Sequence, residues 1–355
     1  METEKRLRMV LMGTGPFAVP SFQRLMESDD EVLLVVTRPV PPSVGRAKQP
    51  INPVFDLAME YDLPTEAPQD INASESVRRL ETLKPDLLVV CDYGQILSNQ
   101  TLATAKLGGI NLHGSLLPRH RGAAPIQWAI LAGDRRTGVS VIHMTPKLDG
   151  GPILAERVAE IGVHETSGEL EQRLCELGVQ AVVDAIEQLR FWNGVAPLGQ
   201  PQDPLLVTKA PRFKKADGEL DWRRDADYLS RQIRALQPWP GSFSELETSD
   251  PKKVLRLIIR KATAIRLGEK PSMPPGMPSV PPGMIVQTEP DFWIACGMGY
   301  LQIEVVQPSG KREMGADEFL RGHRLLPGQK FRLRSSDAAS QPPENRADIP
   351  SETKP

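Results

Sequence analysis

Short apolar runs alternate with amphipathic segments over the first half of the chain. The runs are apolar on both faces, which is typical of buried parallel strands. We predict such strands over residues 8–12, 31–36, 86–91, 109–112 and 138–143. The segments around them carry apolar residues at helical spacing, and we predict helices over 20–26, 53–61, 74–83 and 167–189. This alternation predicts an α/β domain, Rossmann-like, on a doubly wound parallel sheet.

The second half has a different pattern. One helix is predicted over 226–236 and is stopped by the sequence Pro-Trp-Pro-Gly that begins at Pro238. Short β-type runs separated by Gly and Pro follow at 254–259, 284–286, 292–296, 301–306 and 330–333. Such runs suit a small OB-like β-barrel. We therefore predict four regions: a Rossmann-like domain over 1–192, a linker over 193–211, the OB-like domain over 212–334 and a disordered tail over 335–355.

Composition excludes several classes of protein. The chain has 355 residues, of which 40% are hydrophobic, enough for two packed cores. No window approaches 18 consecutive apolar residues, and the N-terminus has neither an apolar signal region nor a long Arg/Ser-rich presequence. Cys91, Cys175 and Cys296 lie far apart, which predicts neither a disulfide framework nor a metal cluster. We expect a cytoplasmic monomer that holds no metal and binds no membrane.

Charge is distributed unevenly, although the formal net charge is only −2. Residues 1–207 hold 19 basic and 26 acidic side chains, whereas residues 208–334 hold 22 basic and 15 acidic ones. A basic second part joined to an acidic first part points to a polyanion as partner of the second. Chance asymmetry on a solvated surface is the alternative, and charge alone does not decide between them.

The turn after the first predicted strand fits a dinucleotide-binding fingerprint. Gly13, Gly15 and Ala18 match G-x-G-x-x-G/A between a strand and a helix. The second strand, however, ends at Val36-Thr37-Arg38 without the acid that holds the ribose, and Pro16 lies within the turn. We favour a tight strand-to-helix turn with Pro at the first helical position. Binding of NADP through Arg38 stays open as an alternative.

The densest polar motif follows the strand predicted at 109–112. Asn111 and His113 are two residues apart and therefore face the same side of a strand. The loop after them is rich in Gly and Pro, and open parallel sheets bind ligands beyond the carboxyl ends of their strands. An amide and an imidazole at this point suit stabilisation of an oxyanion at an attacked carbonyl.

A carboxylate, Asp149, follows the next predicted strand. Gly150 and Gly151 after it allow a turn that points the carboxylate into the same cleft. Together with Asn111 and His113 it completes an amide, imidazole and carboxylate set for acyl transfer. No nucleophile elbow or Cys/His motif is present in the sequence, so direct transfer from donor to acceptor is the simpler chemistry.

These motifs resemble the formyltransferases that use 10-formyltetrahydrofolate. The resemblance is carried by Asn111 and His113, by the string SLLP at 115–118 with RHRGAAPIQ after it, and by Leu148-Asp149-Gly150. Four further strings are similar to the branch of that family that formylates methionyl-tRNA: GTGPFAVPSFQRL at 13–25, TSGEL at 166–170, KADGELDW at 215–222 and IRALQPWPGSF at 233–243.

The resemblance implies a reaction and roles for these residues. A formyl group would pass from 10-formyltetrahydrofolate to the α-amino group of methionine on initiator tRNA. Asn111 and His113 would stabilise the oxyanion, and Asp149 would orient His113 and assist removal of the amine proton. The folate-binding residues it implies are Ser115, Leu116, Leu117 and Pro118, with Tyr93, Gly94, Gln95 and Ile96 lining the pterin pocket.

Two basic regions are predicted to meet the tRNA. The family places a basic loop after the second strand, here residues 37–52 with Arg46 and Lys48, although this loop is less basic and richer in proline than the family pattern. The segment 251–270 holds seven basic residues and one acid, and we predict that it contacts the tRNA backbone through Lys252, Lys253, Arg260 and Lys261. A solvated barrel face is the alternative for that segment.

Other functions remain open at this point. Related enzymes that hydrolyse 10-formyltetrahydrofolate, or that formylate a sugar amine or a purine precursor, share the Asn/His/Asp set. The basic second half favours a tRNA substrate over a small molecule. A nucleic-acid-binding module without catalysis would leave that set unexplained, and an NADP-dependent oxidoreductase would depend only on the glycine turn and Arg38.

Overall fold

The computed structural model describes residues 6–40, 52–247, 254–265 and 280–334. Its contacts divide the chain into two compact units. The first comprises residues 1–125, 136–160 and 170–211, and the second comprises residues 126–135, 161–169 and 212–355. Within the described ranges, none of the helices has both the length and the apolar run that crossing a bilayer requires. The tail predicted over 335–355 lies outside the described residues.

The first unit is built on a seven-stranded sheet. Its strands are β1 (Arg8–Gly13), β2 (Glu31–Val36), β3 (Thr65–Glu66), β4 (Leu87–Cys91), β5 (Gly109–His113), β6 (Arg136–His143) and β7 (Ile153–Glu160). Their order across the sheet is β3-β2-β1-β4-β5-β6-β7. The helices that begin in this unit are α1 (Val19–Met26), α2 (Pro53–Glu60), α3 (Ser74–Leu83), α4 (Asn99–Leu102) and α5 (Pro125–Ala132). Helix α6 (Ser167–Arg190) belongs to it from Leu170 onward.

Five strands of this sheet are parallel and two are not. Strands β1 to β5 pair in parallel, and their apolar residues are buried on both faces, which confirms the Rossmann-like prediction. Strand β6, however, is antiparallel to both β5 and β7. We predicted β6 as a further parallel strand, and that was wrong. Its neighbour β7 was not predicted at all, because exposed polar residues such as Glu156 and Glu160 interrupt the continuous apolar run that is typical of a buried strand.

The second unit is a curled antiparallel sheet. Its strands are β8 (Ser242–Glu247), β9 (Val254–Ile265), β10 (Ile285–Gln287), β11 (Phe292–Ala295), β12 (Tyr300–Pro308) and β13 (Met314–Gly315). The order is β10-β11-β12-β9-β8, with β13 paired to β12. Helices α7 (Ala226–Ala235) and α8 (Ala316–His323) complete the unit. The prediction of a small barrel-like domain is confirmed as a half-barrel.

Residues 329–332 link the two edge strands of that half-barrel. On one side Glu247 N–H of β8 donates to the Lys330 carbonyl, and on the other Ile285 N–H of β10 donates to the Gln329 carbonyl. Strand β8 was not predicted because two of its inward positions are Ser242 and Ser244, not apolar residues. Both are buried with a partner, since Ser244 Oγ accepts from the indole of Trp222 at 2.9 Å and Ser242 Oγ donates to a backbone carbonyl.

Candidate active site

Strand β5 delivers two polar side chains to the same face of the sheet. His113 is 6% exposed, and its Nε2 atom lies 3.0 Å from the carbonyl oxygen of His120. Because a carbonyl oxygen only accepts, Nε2 carries a hydrogen in this arrangement. Asn111, two residues earlier, is partly exposed, and its amide has no hydrogen-bond partner among the described residues. The sheet therefore presents an imidazole whose N–H donates to the His120 carbonyl, and beside it an uncommitted amide.

The third predicted residue, Asp149, lies beside this pair. Its Oδ2 atom is 3.8 Å from His113 Nδ1 and accepts the backbone N–H of Gly122 at 2.8 Å. Asp149 is 10% exposed at its side chain and has φ +47°, a left-handed conformation that is costly for a residue with a Cβ atom. The structure thus brings the imidazole and the carboxylate together, with Asn111 on the same strand face.

Asp149 reaches His113 by a route that the sequence does not predict. In the antiparallel pair, His143 at the end of β6 is opposite Ile110, whereas His113 is opposite Ser140. The loop after β6 must therefore run back by about three residues of strand, roughly 10 Å, to place Asp149 near His113. Gly151 makes the close packing of this loop feasible, because a Cβ atom there would lie 1.8 Å from the His143 carbonyl oxygen.

Residues of the predicted linker contact this centre, and sequence reasoning missed them. The Gln202 amide donates to the carbonyls of Asp149 and Gly151 at 2.8 and 2.7 Å, and its oxygen accepts from the guanidinium of Arg121. Arg121 also pairs with this segment through its backbone, which exchanges hydrogen bonds with Thr208 and Ala210. A single glutamine in a Gly/Pro-rich stretch has no periodicity or motif that would have identified it.

Arg121 carries its charge in a buried position. It is 9% exposed, and burial lowers its pKa, while the nearby Asp149 carboxylate raises it in part. Two N–H groups of the guanidinium donate to the Gln202 oxygen. The positive charge of Arg121 and the negative charge of Asp149 therefore attract one another.

The string predicted to bind folate forms a tight loop after β5. Ser115 Oγ donates to the Arg119 carbonyl at 2.7 Å, and the Leu117 N–H donates to Ser140 Oγ at 3.0 Å. Leu117 is buried against Ile142 and Ile153, while Leu116 and Pro118 are partly exposed. The side chains of Ser115 and Leu117 thus shape the loop from within, and its open surface belongs to Leu116 and Pro118.

The residues predicted to line a pterin pocket follow β4. Tyr93 is 1% exposed, and its hydroxyl has no hydrogen-bond partner among the described residues. Burial raises the pKa of Tyr93 to about 12, against a smaller opposite effect of Arg38. Gln95 is committed to the backbone of Pro68 and Ile71. Gly94 is exposed and Ile96 is 66% exposed, which leaves their surface open to a ligand.

The glycine turn after β1 is occupied by a carboxylate of the chain itself. A Cβ atom on Gly15 would lie 1.7 Å from Asp92 Oδ2, so the Asp92 side chain packs directly against that turn. A pyrophosphate bound there would meet a like charge. Arg38, the residue considered for a 2′-phosphate, lies against Gly94. These contacts argue against dinucleotide binding at this turn. They also explain why residue 15 is glycine, because the Asp92 side chain packs too closely to leave room for a Cβ atom.

Of the predicted tRNA-binding residues, two are described. Arg260 pairs with Glu313 at 2.9 Å and also donates to Gln307, and Lys261 pairs with Glu304 at 2.7 Å. Both cations lie in β9 but are partly neutralised by these acids, so this part of the strand is less positive than its sequence alone indicates. Arg46, Lys48, Lys252 and Lys253 lie outside the described residues.

A metal centre finds no support in the described ranges. They contain no group of three or more His, Cys, Asp or Glu side chains that could hold an ion. The three cysteines are free, and burial raises the pKa of Cys91 well above its usual range and that of Cys296 to about 12. Both are therefore neutral thiols near pH 7, whereas a metal-binding cysteine is a thiolate.

The site and fold together define a class of protein. The family model for formyl transferases matches residues 5–186, and the model for the formyl transferase C-terminal domain matches residues 212–324. The chain therefore belongs to the formyl transferase family, as its resemblance implied.

Relatives within this family carry a more specific name. A methionyl-tRNA formyltransferase from Rhodopirellula baltica is 48% identical over 332 residues, which cover 92% of this chain and 96% of the relative. One from Methylococcus capsulatus is 40% identical over 319 residues, covering 90% of this chain and 98% of that protein. The chain is thus similar to methionyl-tRNA formyltransferases over nearly their full length.

Solved structures with the same fold are more distant in sequence. The N-formyltransferase from Helicobacter canadensis, in complex with folinic acid and dTDP-3-aminofucose, matches with a TM-score of 0.59 and 15% identity over 86% of this chain and 100% of that one. HypX from Aquifex aeolicus, in complex with tetrahydrofolic acid, matches with a TM-score of 0.54 and 14% identity over 92% of this chain and 51% of that one. At these identities the likeness shows the fold alone.

Proposed function

We propose that this chain transfers the formyl group of 10-formyltetrahydrofolate to the free α-amino group of methionine on initiator methionyl-tRNA. The observation that carries this proposal is the Asn111–His113–Asp149 arrangement, in a chain whose relatives are methionyl-tRNA formyltransferases. The donor and the charged tRNA are both substrates that bind and leave.

The reaction requires an oxyanion to be stabilised and a proton to be moved. The methionine nitrogen attacks the formyl carbon, and the carbonyl electrons move onto oxygen to give a tetrahedral intermediate. When that oxygen re-forms the carbonyl, the bond to N10 of the folate breaks, and N10 gains the proton that the methionine nitrogen loses. The protein therefore has to supply donors at the oxygen and a relay between two nitrogens.

The described geometry suits both tasks. The Asn111 amide has no internal partner, so its N–H groups are available to the developing oxyanion. The imidazole of His113 lies on the same strand face, where its Nε2–H donates to the His120 carbonyl and its Nδ1 atom faces the Asp149 carboxylate at 3.8 Å. To act as the second donor, this N–H has to leave the His120 carbonyl for the oxyanion when the substrates bind. Asp149 and His113 are also the polar groups placed to accept the amine proton. Catalysis then needs no covalent acyl-enzyme.

The donor and the tRNA are assigned to different parts of the chain. We place the folate against the loop of Ser115 to Pro118 and the segment Tyr93 to Ile96, where Ile96 and Pro118 offer open surface. We place the tRNA backbone against the basic residues of the second unit, including Arg260 and Lys261. Phosphate contacts of this kind add affinity without much choice of sequence.

The experiment that tests this function follows labelled formyl groups. The protein is incubated with 10-formyltetrahydrofolate labelled in the formyl carbon and with charged initiator tRNA, uncharged initiator tRNA or a nucleotide-linked amino sugar. We expect label only on charged initiator tRNA, in acid-precipitable form and removed by deacylation. Label on the amino sugar, or release of free formate without an acceptor, would assign the chain to another activity of its family.

A further inference from the structure

The segment that joins the two predicted domains does more than connect them. Its residues 200–210 lie against the loop of Arg121 to Ala124 and against the turn of Asp149 to Gly151. All of these residues belong to the first compact unit. In sequence, Gln202 is 53 residues from Asp149 and 81 residues from Arg121, so these contacts are tertiary and not local.

We propose that Gln202 is a positioning residue that holds Asp149 in place against His113. Its two amide hydrogens are directed at the Asp149 and Gly151 carbonyls, at 2.8 and 2.7 Å, and its oxygen accepts two N–H groups of Arg121. The hydrogen-bonding capacity of a primary amide is two donors and two acceptor sites. All four are used here, which only Gln or Asn among the side chains can do.

The turn that Gln202 holds needs such support. It runs back along β5 from the end of β6, and Asp149 has a left-handed backbone at φ +47°. Residues kept in sparsely populated conformations persist only where the surroundings fix them. On its other side the turn is fixed by the Gly122 N–H, which donates to the Asp149 carboxylate at 2.8 Å. Arg121, which also binds Gln202, directly precedes Gly122 in the chain. Gln202 therefore contacts both the turn that carries the Asp149 carboxylate and the loop that donates to it.

Two substitutions at Gln202 separate the contacts, and a nearby glutamine provides the control. Gln202→Met removes all four hydrogen bonds at similar volume. Gln202→Glu keeps an acceptor for Arg121 but turns an oxygen toward the two carbonyls. Gln200 lies in the same segment with an exposed side chain, and only its backbone pairs, with Ile153. Gln200→Met and Gln200→Glu are therefore matched controls that leave the turn intact.

Kinetics test the role in catalysis, which rests on the proposed function. We expect both Gln202 variants to lower kcat roughly 10- to 100-fold, with the KM values of donor and tRNA near those of the wild type, since misplacement by about 1 Å can cost that much. In an Asp149→Ala background, Gln202→Met should cause no further loss, because it acts through Asp149. An equal loss in both backgrounds, or a loss no larger than in Gln200→Met, would overturn the role.

A second measurement needs no substrate and so separates this role from the proposed function. Lys147 is exposed in the loop that leads to Asp149. Native-state trypsin cleavage after Lys147, followed by mass spectrometry, should be faster in Gln202→Met than in the wild type and unchanged in Gln200→Met. Equal cleavage rates would show that Gln202 does not hold the turn. If Asp149→Ala retained wild-type kcat, the role of Asp149 in the proposed function would be wrong, while the cleavage result would still decide what Gln202 holds.

Discussion

Removing the hydroxyl of Tyr93 should make the protein more stable. The ring is 1% exposed and packs in a core with Val10, Met12 and Leu34, but its hydroxyl has no partner among the described residues. A buried polar group without a hydrogen bond costs about 1–3 kcal/mol. We expect Tyr93→Phe to raise the free energy of unfolding by about 1–2 kcal/mol at pH 7 in urea denaturation followed by circular dichroism.

The same substitution has a signature in alkaline solution. The pKa of Tyr93 is raised by burial to about 12, whereas an unfolded tyrosine ionises near 10. Between these values the unfolded chain gains stability by losing a proton that the folded chain retains, so the wild type is destabilised as the pH rises from 10 to 12. Phenylalanine has no such proton. The advantage of Tyr93→Phe should therefore grow in this window, by up to about 3 kcal/mol at pH 12.

A matched control is available for this experiment. Tyr61 is partnered, because its hydroxyl donates to Glu27 at 2.6 Å. Tyr61→Phe removes a satisfied hydrogen bond and should leave stability at pH 7 unchanged or slightly lower. If Tyr93→Phe were also neutral or destabilising at pH 7, the Tyr93 hydroxyl would have a partner in the folded protein and the reasoning would be refuted. A raised KM for the donor in Tyr93→Phe would in addition support the predicted pterin pocket.

Three further predictions concern stability, tRNA binding and metal. Arg190→Met should lower the free energy of unfolding by about 3–5 kcal/mol, because the buried Asp30 carboxylate would lose its cation. The Asp30 side chain is 7% exposed, and its Oδ2 atom lies 2.8 Å from Arg190 Nη2. Equal urea midpoints for the variant and the wild type would contradict this prediction. Replacing Arg260 and Lys261 with Gln should raise the KM for tRNA and flatten its dependence on salt, and an unaltered salt slope would remove β9 from the interface. Exhaustive chelation should leave the formylation rate unchanged, whereas a loss restored by one particular metal would count against the mechanism.

Much of the first unit could be predicted because its strands are buried on both faces. Strands β1, β2, β4 and β5 consist mostly of apolar residues, because a strand that is buried on both faces needs apolar side chains on both. Edge strands and strands of the half-barrel are harder to predict, because only one of their faces is buried. The buried face of β8 carries Ser242 and Ser244, whose polarity is satisfied by partners that only the folded chain supplies.

The residues of the site also fall into those that the sequence predicts and those that it does not. Asn111 and His113 could be paired from sequence because the period of a strand places residues two apart on one face. The position of Asp149 depends on an antiparallel pairing and a returning loop, which the local sequence does not specify. Gln202 depends on contacts with residues more than 50 positions away, so no motif marks it.

The most direct test of this account is a single-turnover measurement of formyl transfer to charged initiator tRNA with the donor already bound. Asn111→Ala and His113→Ala should each slow the transfer step about 10²- to 10³-fold, because each removes a donor to the oxyanion. Donor affinity, measured separately by equilibrium binding, should change little. A transfer rate near that of the wild type in either variant would contradict the assignment of that residue to the catalytic centre.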